Sequence, residues 1–318
     1  MDLIFTNAKR VDQGVLSAYA FDLSFGATEN DFEMTLGANE TMLESGAFMY
    51  MEGTEYGGMV GGLKTSTNGE TITYKGRTWH GIMNSKVIQP DTGEDYLVVS
   101  GDANEVLSFL IARLGLSGLF VAAEGLSGVS ISGYQFQRYC KGYDGIRSML
   151  AASGAKLKIA WKNRAVHLSA EPIADYTDSP VDGDIATLTV ERHEKKVNHL
   201  ICLGKGDLAA REVIHLYVDQ FGRIGDVQYF TGIDEICDTY ENSNSDNLRS
   251  DGIKRFAELR SNDKAEIALS ETEGLTYDIG DIVGASEIKS GITVAETVTQ
   301  KIVKIKNGVV STEYKTGG

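Results

Sequence analysis

A glycine-containing loop is the closest approach of this sequence to a nucleotide-binding motif. Leu203–Ala209 reads Leu-Gly-Lys-Gly-Asp-Leu-Ala and follows a strand-like run. A dinucleotide-binding loop must be followed by a helix, because the amides at the start of that helix bind the pyrophosphate. Glu212–Val218 has instead the alternation of a strand. The loop therefore predicts a hairpin connection and no cofactor site.

Three of the five histidines lie in one region of the chain. His193 and His199 flank a strand-like segment, and His215 follows later. On one strand His193 and His199 would lie roughly 20 Å apart, at about 3.3 Å per residue. Ligands of one metal ion must converge on it, so this pair predicts no metal site. We interpret these histidines as surface or interface residues.

Asn242–Asp246 imitates the start of a calcium-binding loop. Such a loop needs glycine at its sixth position and an acid at its twelfth, where this chain has Asn247 and Ile253. The segment therefore predicts an Asx-rich turn that caps the following helix.

The remaining reactive residue types give no catalytic pattern. Ser130 and Ser132 lie among glycines without forming a Gly-x-Ser-x-Gly elbow. Paired carboxylates such as Asp234/Glu235 and Glu271/Glu273 carry no catalytic information in so acidic a chain. The three cysteines are far apart and odd in number, which predicts buried or partly buried free thiols rather than a disulfide framework: Cys140, Cys202 and Cys237. We predict no catalytic, cofactor-binding or metal-binding residue, and a protein that is not an enzyme.

The composition and net charge of the chain disfavour nucleic acids and membranes as binding partners. The 318 residues carry a net charge of −15, which disfavours sequence-reading nucleic-acid binding and binding to anionic membranes. The longest apolar run, near Val106–Leu119, is interrupted by Arg113 and is too polar to span a bilayer. An acid at position 2 does not fit a signal peptide, which predicts folding in a cytoplasm.

Glycine is abundant (36) and proline scarce (3), which favours strands joined by tight turns. Residues 1–90 predict a compact antiparallel unit, a barrel or sandwich. Asp31–Leu36 alternates strictly between polar and apolar residues, which is typical of a half-buried strand. Thr71–Tyr74 and Thr78–Met83 predict two strands joined by a hairpin at Lys75–Arg77.

Residues 91–172 predict a small α+β insert. Ala103–Leu114 has a helical apolar face and Asp102 as its cap. A second helix is predicted from Gly142 to Ala152, followed by a hairpin of Lys156–Trp161 and Ala165–Leu168. Residues 1–100, 101–170 and 171–318 carry −8, +4 and −11, so the insert has a different surface. We expect its basic side chains to face solvent or an acidic neighbour: Arg113, Arg138, Lys141, Arg147, Lys156 and Lys158.

Residues 173–318 predict a second β-rich domain with one helix at about 245–260. The acidic stretch Glu171–Gly183 is the best linker candidate. Strands are predicted at Thr187–Arg192, Val197–Leu203 and Glu212–Val218, and Asn307-Gly308 predicts a final two-residue hairpin turn. The helix is expected to bury an apolar face: Leu248, Ile253, Phe256 and Leu259.

Several of these segments, in their order along the chain, resemble the siphophage and prophage tail protein family, which is similar to the baseplate-hub or tail-tip proteins of long-tailed bacteriophages. The segments that carry the resemblance are Phe21-Asp22, Glu29–Glu33, Val197–Gly206, Arg211–Asp219, Gly232–Ile236, Tyr277–Gly284 and Lys301–Ile305.

The resemblance implies a β-rich α+β fold in which two tube-type β-barrel domains flank the small α+β domain. Three copies would form a ring that continues the tail tube and lets DNA pass without sequence-specific binding. Its partners would be the distal tail protein, the tape measure and tail fibre or tip proteins, in a virion assembled in the host cytoplasm. A lumen that DNA traverses should be acidic or neutral, because basic side chains bind phosphate.

Two other functions stay open. The first is a tail-associated, host-envelope glycan-binding or hydrolytic module, which would need aromatic platforms and paired carboxylates in a cleft. Trp79 and Trp161 lie in different predicted units, which disfavours such a platform. The second is a cytosolic nucleotide-binding enzyme, which depends entirely on the Gly204/Gly206 loop.

Overall fold

The computed structural model describes residues 2–39, 42–66, 69–182, 186–191, 197–220, 223–260, 264–270, 276–287, 292–306 and 308–317. The chain divides into a larger unit, Met1–Thr189 with Glu266–Gly318, and a smaller unit, Val190–Ala265. Strands predominate in both units, which confirms the predicted β-rich α+β class. The three predicted domains, 1–90, 91–172 and 173–318, stay a prediction.

The described secondary structure consists of four α-helices, 24 strands and two 3-10 helices at Leu208–Ala210 and Gly232–Asp234. The helices are α1 (Trp79–Asn84), α2 (Ala103–Arg113), α3 (Gly142–Ala152) and α4 (Leu248–Arg260). The first twelve strands are β1 (Leu3–Thr6), β2 (Asp12–Leu16), β3 (Tyr19–Gly26), β4 (Asp31–Gly37), β5 (Phe48–Tyr50), β6 (Gly57–Lys64), β7 (Thr71–Thr78), β8 (Val87–Ile88), β9 (Val98–Asp102), β10 (Phe120–Ala122), β11 (Ser130–Gln135) and β12 (Cys140–Lys141). The others are β13 (Ala155–Lys162), β14 (Ala165–Pro172), β15 (Asp175–Asp182), β16 (Ala186–Glu191), β17 (His199–Leu203), β18 (Val213–Val218), β19 (Ile224–Gly225), β20 (Cys237–Glu241), β21 (Lys264–Ser270), β22 (Ile282–Glu287), β23 (Ile292–Lys306) and β24 (Val309–Thr316).

One large sheet joins the two ends of the chain. Its strand order is β16-β21-β24-β23-β3-β4-β7-β6-β5-β1-β2, with β15 and β22 branching from β23. The first part of β23 pairs with β22, whereas Gln300–Lys306 lies between β3 and β24. In the described residues this sheet ends at β2 and β16 and does not close into a barrel. Strand β23 instead joins strands of both expected barrels in this one sheet.

Alternation along the central strands separates a core face from a solvent face. The prediction for Asp31–Leu36 is confirmed, since Phe32, Met34 and Leu36 are buried and the residues between them are not. They pack with Phe21, Leu23 and Phe25 of β3 and with Val303 and Ile305 of β23. The core of the larger unit therefore needs side chains from both ends of the sequence.

The segment predicted as a hairpin at Lys75–Arg77 has a different structure. Strand β7 continues through Thr71–Thr78, and Trp79–Asn84 is a helix whose first turn is capped by the Thr78 hydroxyl. Gly76 lies opposite Phe32 and Val60 in the sheet. A Cβ at Gly76 would overlap the carbonyl oxygen of Met59 and lie 2.5 Å from Phe32 Cζ. This glycine therefore permits close packing and makes no turn.

The predicted order helix, helix, hairpin is confirmed in the insert. The Asp102 carboxylate accepts a hydrogen bond of 2.9 Å from Asn104 N at the start of α2. Helix α3 has the predicted bounds. Strands β13 and β14 pair from Ala155↔Pro172 to Lys162↔Ala165, and β10 pairs in parallel with β14.

The predicted linker at Glu171–Gly183 is wrong over most of its length. Strand β14 continues to Pro172, and Asp175–Asp182 forms β15, which pairs in parallel with β22. Gly183 lies outside the described residues. The final hairpin is confirmed by the pairing of Lys306 with Val309, and Gly308 has φ +82. Its other turn residue, Asn307, lies outside the described residues.

The smaller unit is a four-stranded sheet, β19-β18-β17-β20, packed on α4. The helix begins at Leu248 rather than near 245, because Asn247 caps it: Asn247 Oδ1 accepts from Ser250 N at 3.1 Å. Ser245 Oγ accepts from Asn247 N in the turn before the helix. Leu248, Gly252 and Phe256 are buried, whereas Ile253 is 37% exposed, so the predicted burial of Ile253 is wrong. A Cβ at Gly252 would overlap Cys202 Sγ, which explains the glycine.

Replacing Gly76 with alanine is expected to lower the free energy of unfolding by about 3 kcal/mol, because overpacking a core forces side chains and backbone to move. Gly62→Ala is the matched control in β6, since no described atom lies within 4 Å of its Cβ position. That control should change stability by less than about 0.5 kcal/mol. Urea unfolding followed by circular dichroism measures both, and equal effects would contradict the packing role of Gly76.

Candidate functional site

The Gly204/Gly206 loop is a hairpin connection, as predicted. Strands β17 and β18 pair in antiparallel fashion on either side of it. Gly204 N donates to Glu212 O at 2.8 Å, and Gly206 has φ +96. A short 3-10 turn, Leu208–Ala210, stands where a dinucleotide site would need a helix. This loop therefore lacks the aligned amides that bind pyrophosphate.

Two histidines in the smaller unit contact one another. His199 Nε2 lies 2.8 Å from His215 Nδ1, and His199 Nδ1 lies 2.6 Å from Glu235 Oε1. Tyr217 stacks on His199 with ring centroids 4.4 Å apart. His199 was predicted to be a surface or interface residue, but it is buried within the smaller unit. The contact depends on strand register, because Ile201 pairs with His215 and His199 with Tyr217.

The histidine pair is not arranged as a metal centre. Both ring nitrogens of His199 are already in hydrogen bonds, which leaves no free lone pair for an ion. Across the parts of the chain that the structure describes, no group of three or more histidine, cysteine, aspartate or glutamate side chains is placed to hold a metal. His193 lies outside those parts.

The other sequence candidates have structural roles. Asn242–Asp246 forms the predicted turn before α4, with Asn242 Oδ1 accepting from Asn244 N at 3.3 Å. All three cysteines are free thiols, but Cys237 is exposed, against the expectation of burial. Ser130 and Ser132 lie exposed on β11. The pair Glu271/Glu273 lies outside the described residues.

The most concentrated set of charged contacts is a lysine–aspartate clamp, formed by Lys156, Lys158, Asp278 and Asp281. Lys156 Nζ lies 2.7 Å from Asp281 Oδ1 and 3.0 Å from Asp278 Oδ2. Lys158 Nζ donates to both oxygens of Asp278, at 2.9 and 2.8 Å. The clamp fastens the polar face of β13 to the turn that precedes β22.

Burial of these charged groups costs free energy unless each of them has an oppositely charged partner. Lys156 is 7% exposed and Asp281 1% exposed. Burial alone would lower the pKa of Lys156, but the hydrogen bonds that its ammonium donates to Asp281 and Asp278 hold this pKa above its ordinary value. Burial would likewise raise the pKa of Asp278, and Lys158 and Lys156 hold it below its ordinary value. The charged forms of Lys156 and Asp278 are therefore both favoured by their partners, and removal of one partner would leave a buried charge without compensation.

The clamp gives a physical role to Tyr277–Gly284, a segment that carries the sequence resemblance. Gly280 has φ +104, a backbone conformation that favours glycine, in the turn before β22. Within the turn Asp281 Oδ2 accepts from Asp278 N at 2.9 Å, and Asp281 Oδ1 accepts from Ala174 N at 3.0 Å. Sequence analysis missed the clamp because its lysines lie about 120 residues earlier in the chain.

The expectation that the basic residues of the insert face solvent or an acidic neighbour is confirmed except for Arg147, which is half-buried. Lys156 and Lys158 bind the acidic turn, and Arg113 lies 2.8 Å from Asp91. Arg138 and Lys141 are exposed to solvent, and Arg147 lies over the Tyr143 ring. The positive charge of residues 101–170 is therefore used in part to hold the C-terminal segment.

A second buried network centres on Glu55. Its carboxylate lies 2.8 Å from Lys301 Nζ and 3.5 Å from His80 Nε2. His80 stacks on Phe25 at 4.6 Å, and its Nδ1 has no hydrogen-bond partner among the described residues. Burial lowers the pKa of His80 to about 4. Burial opposes the charge of Lys301, but Glu55 keeps its pKa above the ordinary value.

A polar cleft of about 430 Å³ lies between these two sets, lined by residues that include Glu55, Lys158, His167, Asp278 and Lys301. Glu55 and Asp278 are each paired with lysine, so they do not form the free carboxylate pair that a glycosidase needs. Trp79 and Trp161 stack on each other at 5.1 Å and are both buried, so neither offers a platform for sugars. The cleft is therefore held together by its own ion pairs.

Among the helices in the described ranges, none is both long and apolar enough to cross a bilayer.

Solved structures of tail proteins share this fold along the whole chain. The 43 kDa tail protein of prophage MuSo2 from Shewanella oneidensis superposes with a TM-score of 0.58 at 11% identity, covering 100% of this chain and 98% of that one. Prophage tail protein gp18 from Listeria monocytogenes gives 0.54 at 14% identity, with 99% and 94% covered. A chain of the phage P2 baseplate gives 0.55 at 10% identity, with 100% and 99% covered. The resemblance to phage tail and baseplate proteins is thus confirmed at the level of fold.

Comparison of sequences identifies fewer similar proteins than comparison of structures. No family model matches the chain. Elongation factor G 2 of Saccharophagus degradans is 28% identical over 137 residues, which are 43% of this chain and 19% of that protein. The chain thus spans about a fifth of the length of this relative, and the match assigns no family.

Replacing Asp281 with asparagine is expected to lower the free energy of unfolding by about 3 kcal/mol, because Lys156 would keep a buried charge with only part of its compensation. Asp91→Asn is the matched control, since it breaks an ion pair whose carboxylate is exposed. That change should cost less than about 1 kcal/mol. Chemical denaturation at pH 7 compares the two, and an equal loss in both variants would contradict the role of burial.

Acid is expected to destabilise the larger unit through His80. Its pKa is about 4 in the folded chain and about 6.5 when unfolded, so the unfolded chain binds the proton first. The stability that His80 provides is complete above pH 6.5 and declines as the pH falls, by about 3 kcal/mol at pH 4. Unfolding measured from pH 7 to 4 should show this loss in the natural protein and not in His80→Gln. His167→Gln, at a half-buried histidine, should keep the natural pH dependence, and an unchanged slope in His80→Gln would contradict the assignment.

Proposed function

We propose that this chain is a structural component of a bacteriophage or prophage tail, a baseplate-hub or tail-tip protein that forms a ring continuing the tail tube and passing DNA. The observation that carries the proposal is the fold, which matches prophage tail proteins and a baseplate chain over 99–100% of this sequence. A match of that extent includes the insert and the C-terminal strands as well as the central sheet.

The internal contacts support a structural role. Strand β23 ties the last residues of the chain into the N-terminal sheet, and the lysine–aspartate clamp ties the insert to the turn before β22. Both contacts join segments that are distant in sequence, so they hold the larger unit as one body. The charged groups of the cleft serve these contacts, in keeping with a protein that is not an enzyme.

The assembled form would be a homotrimer in contact with the distal tail protein, the tape measure and tail fibre or tip proteins. The protein would be part of the virion and would assemble in the host cytoplasm. With a net charge of −15, purified copies repel one another, so we expect a monomer or weak oligomer at about micromolar concentration. Trimers would form when the copies are seated on their tail partners.

The two other candidate functions find less support. A glycan-binding or hydrolytic module would need accessible aromatic rings, and both tryptophans are buried. A nucleotide-binding enzyme would need a helix after the Gly204/Gly206 loop, where the chain forms a hairpin. Calorimetric titration with host cell-wall fragments, ATP and NAD is expected to give no heat of binding.

Purified tails of the phage or prophage that encodes this chain provide the direct test. A tag after Gly318, detected with gold-labelled antibody, should appear at the distal end of the tail and at no other position. Deleting the gene should leave particles without a complete tail tip, and the natural gene supplied in trans should restore them. A chain absent from purified tails, or distributed along the whole tube, would refute the proposal.

A further inference from the structure

Three basic side chains and one tyrosine form an exposed corner around strands β8 and β12. Arg138 and Tyr139 lie in the turn between β11 and β12, and Lys141 follows in β12. Lys86 lies beside them, because its carbonyl oxygen accepts from Gly142 N at 2.9 Å where β8 pairs with β12. All four residues are exposed. We call Lys86, Arg138, Tyr139 and Lys141 the basic corner.

The backbone of the basic corner holds an aromatic side chain in solvent at a conformational cost. Tyr139 has φ +58, a left-handed conformation that is unfavourable for a bulky residue. It is 58% exposed, and the Arg138 guanidinium lies over its ring at 5.4 Å. Burial in the core of the chain therefore does not offset the strain. Strained residues are concentrated at functional sites, and tyrosine and arginine are enriched at protein–protein contacts.

The charges of the basic corner are not neutralised within the chain. Among the described residues, Lys86, Arg138 and Lys141 form no ion pair, whereas Arg113 and Lys156 do. The corner therefore presents positive charge that remains available to a partner.

A patch with the complementary character lies in the smaller unit, around the loop between β19 and β20. Apolar side chains protrude from this loop, since Val227 is 81% and Ile233 96% exposed. Tyr229 adds an aromatic ring and is 52% exposed. Asp234, next to Ile233, and Asp238, in β20, are exposed and form no ion pair within the described ranges. We call Val227, Tyr229, Ile233, Asp234 and Asp238 the acidic patch.

Hydrogen bonds hold the acidic patch in a defined shape. Gln228 Nε2 donates to Glu235 Oε1 at 3.0 Å, which joins the two arms of the loop. Asn198 Nδ2 donates to Asp234 O at 2.7 Å, and Asn198 Oδ1 accepts from Ile236 N at 2.8 Å. The loop is thus fastened to the residue that precedes β17. Side chains on a fixed backbone lose less entropy when another surface covers them, which favours binding.

The net charge of the chain decides which partner suits these two surfaces. Copies at −15 repel one another, so a stable contact between them needs positive groups of one copy to face carboxylates of the next. Residues 101–170 carry +4 and hold most of the basic corner, and residues 171–318 carry −11 and hold the acidic patch. Two different, complementary patches on one chain make a head-to-tail contact, and such contacts can close a ring.

We propose that the basic corner of one copy binds the acidic patch of a second copy, and that this contact joins neighbouring subunits of the assembled ring. The inference rests on the proposed function and deepens it by naming the surfaces through which the copies meet. In this contact the arginine and the lysines face Asp234 and Asp238, and Tyr139 covers Ile233. Every copy has both surfaces, so one kind of contact serves the whole ring.

Cross-linking in assembled tails tests the contact directly. Tyr139→Cys, with Cys140 replaced by serine, faces the natural Cys237 of the next copy, an exposed thiol that adjoins the acidic patch. A short bismaleimide should then give covalent dimers and trimers of the chain on denaturing gels. Mass spectrometry of the linked peptides should find position 139 joined to Cys237. The remaining thiol, Cys202, is buried and stays unreactive.

Leu126→Cys in the same Cys140→Ser background is the matched control for cross-linking. Leu126 is 76% exposed, and the neighbouring Ser127 N donates to Asp102 at the far end of β9 from the basic corner. This control should give no link to Cys237. Absence of a link in the Tyr139→Cys tails, or a link confined to a single chain, would overturn the inference.

Charge exchange tests the electrostatic part of the contact. Arg138→Glu with Lys141→Glu should lower the amount of the chain in purified tails by about tenfold or more, because like charges then meet. Adding Asp234→Lys with Asp238→Lys to the same chain restores pairs of opposite sign. The amount of this fourfold variant in tails should return to within about twofold of the natural level. Quantitative mass spectrometry of the purified tails measures these amounts.

Lys9→Glu with Lys64→Glu is the matched control for charge, because it changes the net charge equally at exposed lysines outside both surfaces. Its chains should enter tails at the natural level. Normal incorporation of the Arg138/Lys141 variant, an equal loss in the control, or no recovery in the fourfold variant would contradict the inference. If the natural chain itself is missing from tails, the proposed function fails instead, so the two failures are distinguishable.

Discussion

The pairing of β23 with β3 is the interaction on which the larger unit depends. Gln300–Lys306 fills the place between β24 and β3, so the central sheet is incomplete until the last part of the chain has been made. Bringing together strands that are almost 280 residues apart carries a large loop-closure cost, which buried contacts must offset. Val303 and Ile305 provide those contacts by packing with the aromatic residues of β3 and β4.

The same strand also buries a charged side chain. Lys301 lies on the inward side of β23, and its ammonium is matched by Glu55 and flanked by the rings of Tyr56 and Tyr314. The lysine–aspartate clamp repeats this solution between β13 and the turn at Gly280. Ion pairs of this kind are poor sources of net stability but penalise incorrect arrangements strongly. They therefore specify which segments meet, while the apolar core provides the free energy.

Sequence patterns predicted this structure where the controlling signal was local. Asp102 correctly predicted the start of α2, which it caps. The alternation of Asp31–Leu36 correctly predicted the buried face of β4, and Gly308 lies in the expected final turn. Gly76 led to the wrong prediction of a hairpin, because glycine permits a turn and close packing equally well. Only the neighbouring Phe32 decides between the two. The predicted burial of Ile253 was wrong because the helix places Gly252, and not Ile253, against Cys202.

The candidate site was less predictable than the fold because its contacts are set by register and by distant segments. Neither the spacing of Asp278 and Asp281 nor that of Lys156 and Lys158 indicates that the two pairs meet. The charge difference between the insert and its flanks was the one available signal, and it indicated an acidic neighbour without naming it. The contact of His199 with His215 needed the register of β17 and β18, which periodicity alone does not give.

The histidine contact in the smaller unit fixes the positions of individual protons. Because the Glu235 carboxylate can only accept, Nδ1 of His199 must carry hydrogen. In the neutral pair Nε2 of His199 is then an acceptor, and His215 must present its hydrogen at Nδ1. A shift of β18 by one residue along β17 would turn His215 to the other face of the sheet and remove its hydrogen bond to His199. The two imidazoles and the Glu235 carboxylate therefore favour the observed register of these strands through a directional polar contact.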